Sequence, residues 1–250
     1  MPHTSRERYA VVSCHVERPL DGATWARFTE LQEARPSGFI VAALMRPADP
    51  AFGEDDGAVW LARAREADSR APLGHHTHWT APDHARPTGE GNGERVLSEG
   101  RRLKEHGLSA TLFCGGGWYT DVDVAEACAE LGYVDCTPRA KRPGYLAQGE
   151  RWASLPGPAT VELPSGHELV ALPTTHSLGD LLRALVSRQL PQFVHVYFHD
   201  TDLLDVRRRA MLRTGLAVLA RRARPTDLDA FAAWGLRDLP RVAWDDVARL

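Results

Sequence analysis

The sequence predicts an α/β fold, a parallel sheet closed into a barrel, on three observations. Short apolar runs alternate with longer amphipathic ones along most of the chain. Such alternation implies a parallel sheet, open or closed, and six or seven units within 250 residues favour the closed form. Polar and titratable residues gather where the apolar runs end, at the carboxyl edge where parallel α/β folds collect functional groups.

The elements follow in order. Tyr9 to Cys14 reads as the first strand, and Asp21 caps a helix running to about Ala34. Phe39 to Leu44 is a second strand, followed by a helix from about Asp56 to Ala67. Leu73 to Trp79 is a third strand and its exit, and Glu94 to His106 a charged helix. Ala110 to Cys114 is a fourth strand, with Thr120 or Asp121 capping a helix to Leu131, and Val134 to Cys136 a short fifth. The rhythm then breaks in a Pro- and Gly-rich loop from Pro138 to Pro158. Thr160–Leu163 and Glu168–Leu172 flank Pro164-Ser165-Gly166, a hairpin signal. Ser177 with Asp180 opens a helix to Gln189 as a capping box. Phe193 to Phe198 is read as the last strand, before a long helix from about Leu203 to Arg222 and a short one capped by Thr226. One domain spanning 1–250 accounts for the pattern, without internal repeats or low-complexity segments.

Composition limits the function classes. A 43% hydrophobic, 25% charged chain is an ordinary globular composition. A net charge of −3 with no basic stripe argues against nucleic acid as a partner. No run approaches the roughly 20 apolar residues of a membrane helix, and Tyr9 to Cys14 is too short for a signal-peptide core. Cys14, Cys114, Cys128 and Cys136 lack CxxC spacing and read as reduced thiols, so the expected compartment is the cytoplasm.

The densest chemistry is Leu73-Gly74-His75-His76-Thr77-His78-Trp79. On a strand, residues two apart share a face, so His76 and His78 point together and His75 away. Paired neutral imidazoles suit zinc or a related divalent ion. A one-residue slip would substitute His75 for His76, and a solvent-exposed His-rich turn is the bland alternative. His15 and Glu17, also two apart, offer an imidazole and a carboxylate after the first strand. His195, Tyr197 and His199 share a face of the last strand, His199 at the exit as an acid or ligand and His195 deeper as a core histidine. His84 is a weaker ligand candidate in a loop. Gly115-Gly116-Gly117 permits close backbone approach or positive φ without forming a phosphate fingerprint. Trp118 and Tyr119 offer an aromatic wall to a sugar, with core packing as the alternative. The loop carrying Arg139, Lys141, Arg142 and Tyr145 can cover the site and select an anionic substrate, or simply be solvated.

Taken in order, His15-Val16-Glu17, Gly74 to Trp79, Phe113 to Trp118, Asp135 and Val196-Tyr197-Phe198-His199-Asp200 resemble the motifs of the polysaccharide deacetylases, the NodB-homology fold of carbohydrate esterases. The resemblance runs from about Tyr9 to Trp234 and implies a distorted (β/α) barrel with about seven parallel strands and metal-dependent removal of N-acetyl groups from amino sugars. It makes Glu17, His76 and His78 the metal ligands, His15 the base and His199 the acid, with Asp200 or Asp135 as its orienting partner. The residues themselves, beside the resemblance, put Gly116, Trp118, Tyr119 and Arg142 on the substrate side. The implied ion is divalent, zinc first, then cobalt, nickel or iron. The implied substrate is a small-molecule or lipid-linked acetamido sugar. The chain departs from the family pattern where His15 stands in place of an aspartate base and Cys114 in place of the arginine that steadies it. His-x-His also replaces the common His-x-x-x-His. A neutral imidazole base needs no guanidinium, and the same losses fit a non-catalytic sugar-binding relative or metal-free hydrolysis of another C–N bond. A 2-His-1-carboxylate iron oxygenase is a further rival, disfavoured by the strand–helix alternation.

Overall fold

The computed structural model describes residues 7–54, 57–187, 189–235 and 239–249. Its central strands are β1 (Tyr9–Val16), β2 (Val41–Met45), β3 (Leu73–Thr77), β4 (Leu112–Gly115) and β5 (Val134–Asp135), parallel neighbours in that order. Between them run the helices α1 (Gly22–Ala34), α2 (Ala58–Asp68), α3 (Asn92–Glu105) and α4 (Val122–Leu131). After β5 come β6 (Trp152–Ala153), β7 (Ala159–Glu162), β8 (Glu168–Ala171), β9 (His176–Ser177), α5 (Leu178–Ser187) and β10 (Phe193–His199). The chain ends in α6 (Val206–Leu219), β11 (Arg224–Pro225), α7 (Leu228–Gly235), β12 (Arg241–Ala243), α8 (Trp244–Val247) and β13 (Ala248–Arg249).

One bent segment closes the barrel. β8 pairs with β5 at Asp135 and Ala171, and the next residues continue that ladder through Leu172 N to Asp135 O and Thr174 N to Pro138 O. The segment then turns to the other side, where Thr175 N donates to His195 O and β9 pairs with β10. β10 pairs with β1 over its whole length, from Tyr9–Phe193 to His15–His199, completing a ring of seven staves. The hairpin of β7 and β8 is antiparallel around Gly166, and β12 adds to its outer edge. β10 is therefore the last barrel stave but not the last strand, because short strands follow it outside the ring.

Alternation along each stave sorts its side chains between helices and lumen. On β1, Ala10, Val12 and Cys14 face the helical layer of Phe28, Leu181 and Leu216, while Val11 joins Ala42, Leu44, Leu112 and Leu172 inside. Each large apolar side chain so buried contributes roughly 1.5–3 kcal/mol. Helix starts follow local chemistry. Asp21 accepts from Thr24 N and Asp121 from Val124 N, while Ser177 and Asp180 form their reciprocal box. The expected start of the second helix at Asp56 lies outside the described residues. Leu228 and Ala232 of α7 plug the amino end of the lumen, leaving the carboxyl end for polar groups. No helix among the described residues is long and apolar enough to cross a membrane.

Candidate metal centre

The two faces of β3 decide which histidines enter the lumen. Leu73 packs among the outer helices, and His75, fully buried, sets its Nε2 2.8 Å from Glu99 Oε2 of α3, where the Thr77 hydroxyl also donates. His76 therefore points inward. His76 Nδ1 lies 2.8 Å from Cys114 O, and His78 Nδ1 lies 2.7 Å from Pro82 O. A carbonyl only accepts, so both Nδ1 atoms carry the proton and both Nε2 atoms present a lone pair. These Nε2 atoms and that of His15 are buried and have no hydrogen-bond partner among the described residues. Unpaired buried acceptors are costly, and aimed together they form a ligand set.

Glu17, leaving β1, supplies the anion. Its Oε1 lies 3.4 Å from His78 Nε2 and 3.6 Å from His76 Nε2 and His199 Nε2 alike. These separations exceed good hydrogen bonds. They match the roughly 3.3–3.5 Å between ligand atoms on a tetrahedral ion with bonds of about 2.0–2.1 Å. Burial alone would raise the Glu17 carboxyl, but His76, His78 and His199 override it and hold the group well below the usual carboxylate range. The donor set of Glu17, His76 and His78 fits a divalent ion of the zinc type. Glu17 and His199 keep 28% and 36% of their side chains exposed, so the centre opens to solvent on their side.

His15 completes the inner wall. Its ring centroid lies 4.5 Å from His76, 5.2 Å from Trp118 and 5.3 Å from both Tyr197 and His199. Burial first, then His76 and His199, push its pKa well below the ordinary imidazole value, so it is neutral. Cys114, where the family pattern has arginine, is a buried lumen residue whose thiol burial pushes up, and its carbonyl orients His76. His195 is a core histidine, its Nε2 2.8 Å from Ser13 Oγ, lowered to about 4 by burial.

Other expected site residues are placed differently. Asp200 binds the backbone N–H groups of Arg18 and Thr201 at 2.8 Å, which anchors the loop carrying Glu17. The carboxylate nearer His199 is Asp202, 3.9 Å from its Nδ1. Asp135 is not brought to the centre. Its register partners Phe113 and Ala171 face the outer cluster, and its Oδ1 accepts from Thr137 N. Tyr119 is also turned away, packing on Trp79 and donating to Asp121. Arg142 donates to Ala147 O at the loop surface, and His84 is exposed. Trp118 reaches His15 from a left-handed backbone (φ 59°), a conformation costing a bulky residue on the order of 1–3 kcal/mol. Gly116 serves packing, since a Cβ there would lie 2.5 Å from Thr77 O and 3.1 Å from His78 Cδ2. Sequence reading passed over Asp202, Glu99 and the Cys114 and Pro82 carbonyls. A charged residue three positions past His199 was the only available signal among them.

No family model and no curated protein matches the sequence. Solved structures do match the fold. A mutant of a CE4-family pseudoenzyme with restored enzymatic activity superposes with a TM-score of 0.52 at 12% identity, over 94% of this chain and 70% of that one. The chain has the NodB-like barrel fold. A 4-alpha-glucanotransferase from Thermococcus litoralis matches with a TM-score of 0.55 at 14% identity, over 95% of this chain and 42% of that one, so the chain spans less than half of its length. A protein assigned as a polysaccharide deacetylase of O-antigen biosynthesis from Bordetella bronchiseptica matches at 0.48 and 13% identity, over 93% and 90% of the two chains.

Proposed function

We propose that the chain is a metal-dependent hydrolase that removes the N-acetyl group of an acetamido sugar, acting as one catalytic unit in the cytoplasm. The observation that carries this reading is the convergence of the His76 and His78 Nε2 lone pairs on Glu17, their Nδ1 protons tied to carbonyls. Glu17, His76 and His78 would hold the ion. When bound, such an ion polarises an amide carbonyl and makes water more acidic. His15, neutral at working pH, takes a proton from the attacking water. His199, at the open side with Asp202 behind its Nδ1, delivers a proton to the departing amine. Asp200 keeps Glu17 in place through the Arg18 backbone. Trp118 and Tyr197 wall the cleft beside His15 and exclude water from its inner side.

The substrate in this reading is a small-molecule or lipid-linked acetamido sugar. The parallel barrel disfavours the iron oxygenase alternative, whose enzymes resemble antiparallel β-helices. A second reading, a sugar-binding relative without hydrolysis, is favoured by the buried Cys114 where an arginine would serve the base. Acetate release from acetamido sugars, measured after supplying zinc, cobalt, nickel or iron, separates the two. Release that is lost on His199→Asn with metal retained supports hydrolysis; binding of an acetamido sugar without release supports the second reading.

A further inference from the structure

Behind the aromatic wall of the centre lies a buried cation that no carboxylate among the described residues neutralises. Arg139 follows β5 on a backbone that bridges to Ser154 and Thr174, and it is only 8% exposed. Its guanidinium lies 4.4 Å over the Trp118 ring and 5.0 Å over Tyr197, the two rings whose other contacts include His15. Its Nε and Nη1 are buried and have no hydrogen-bond partner among the described residues. Stacking on two aromatic faces recovers about 1–2 kcal/mol per ring, whereas a buried charge costs several kcal/mol until paired. Guanidinium with free, fork-arranged donors is the side chain suited to phosphate and carboxylate.

Arg139 also lines a cavity of about 710 Å³ between the 138–158 loop and α5. Among the described residues its other charged walls are Lys141, Arg142, Arg183 and a single carboxylate, Asp180. That carboxylate is already engaged, at 2.6 Å each from Ser177 Oγ and Arg183 Nη2. The fifth titratable wall, His176, is lowered mainly by burial, with Arg139 and Lys141 adding to the effect against Asp180. The potential in the cavity is positive, and one layer of aromatic rings separates its buried cation from His15.

We propose that this cavity is an anion subsite, with Arg139 as its buried anchor, which takes a phosphate or carboxylate group. The subsite does not rest on the hydrolase reading.

The test titrates metal-stripped full-length protein with inorganic phosphate and, separately, malonate, at low ionic strength by calorimetry. Saturable binding of either is expected, and the tighter of the two identifies the group. Arg139→Gln is expected to weaken it about tenfold, the loss of one charge-assisted hydrogen bond of about 1.5 kcal/mol, and Lys141→Gln about threefold. Lys141 is exposed, so its variant carries the test if Arg139→Gln fails to fold. A Glu17→Gln, His78→Ala variant should bind the anion as the wild type does. Absence of saturable binding, or equal binding by wild type, Arg139→Gln and Lys141→Gln, overturns the subsite. Anion binding that follows Arg139 and Lys141 while no amide is hydrolysed leaves the subsite standing and removes the hydrolase reading.

Discussion

Asp135→Asn should stabilise the protein at neutral pH, and the structure sets the size. Burial raises the Asp135 carboxyl to about 6 from an ordinary 3.8, opposed by hydrogen bonds from Thr137. The folded state thus holds a proton that the unfolded chain loses near pH 4. Between about pH 4 and 6 the folded state binds more protons, so this group's contribution to stability falls as pH rises and levels off above. A shift of roughly two units at about 1.36 kcal/mol each costs about 3 kcal/mol at pH 7. Asparagine keeps the acceptor for Thr137 N but adds an NH₂ that needs a partner, at about 1 kcal/mol. The net expectation is about 2 kcal/mol, or about 4–8 °C in Tm for a chain of this size. Chemical denaturation of both proteins at pH 4, 5, 6 and 7 reads it directly. The variant should pass from a deficit of about 1 kcal/mol near pH 4 to its full advantage of about 2 kcal/mol at pH 7. Because Asp135 faces the outer cluster, metal content should not change. An advantage independent of pH, or a loss of metal, would refute the placement of this carboxylate.

Three further outcomes follow from the same geometry. Gly116→Ala forces a Cβ against Thr77 O and Ala85 O at 2.5 and 2.7 Å, so denaturation should show a loss of about 1–3 kcal/mol, with weaker metal retention as His78 shifts. Glu99→Ala strips the buried His75 and the Thr77 hydroxyl of their shared acceptor, and a loss of about 3 kcal/mol is expected, read from the denaturation midpoint. His199→Asn should lower acetate release by about 10²–10⁴ while metal analysis finds the ion still bound; full activity in that variant would remove His199 from the role of acid.

The sequence exposed what periodicity controls. The i, i+2 spacing placed His76 and His78 together and separated His195, Tyr197 and His199 from Val194, Val196 and Phe198, and the barrel's lumen and helical clusters follow that sorting. Where a strand is only two residues long, alternation has no length to act on, and the face taken by Asp135 follows from its pairing with Phe113 and Ala171. Tyr119 was ambiguous for a related reason, since a turn with left-handed Gly117 and Trp118 sends adjacent aromatics to different clusters. The carbonyls of Cys114 and Pro82 that fix the two imidazoles are backbone atoms and carry no residue-type signal. Barrel closure was equally hidden, because the residues between Glu168 and Ser177 change partner midway without a compositional break.

The central claim, a divalent ion held by Glu17, His76 and His78, is tested most directly by elemental analysis of the native protein beside a Glu17→Ala, His76→Ala double variant. The account predicts about one transition-metal ion per chain in the native protein, with zinc foremost, and none in the variant. A native protein without metal after reconstitution with zinc, cobalt, nickel and iron, or a variant that retains its full content, would contradict it.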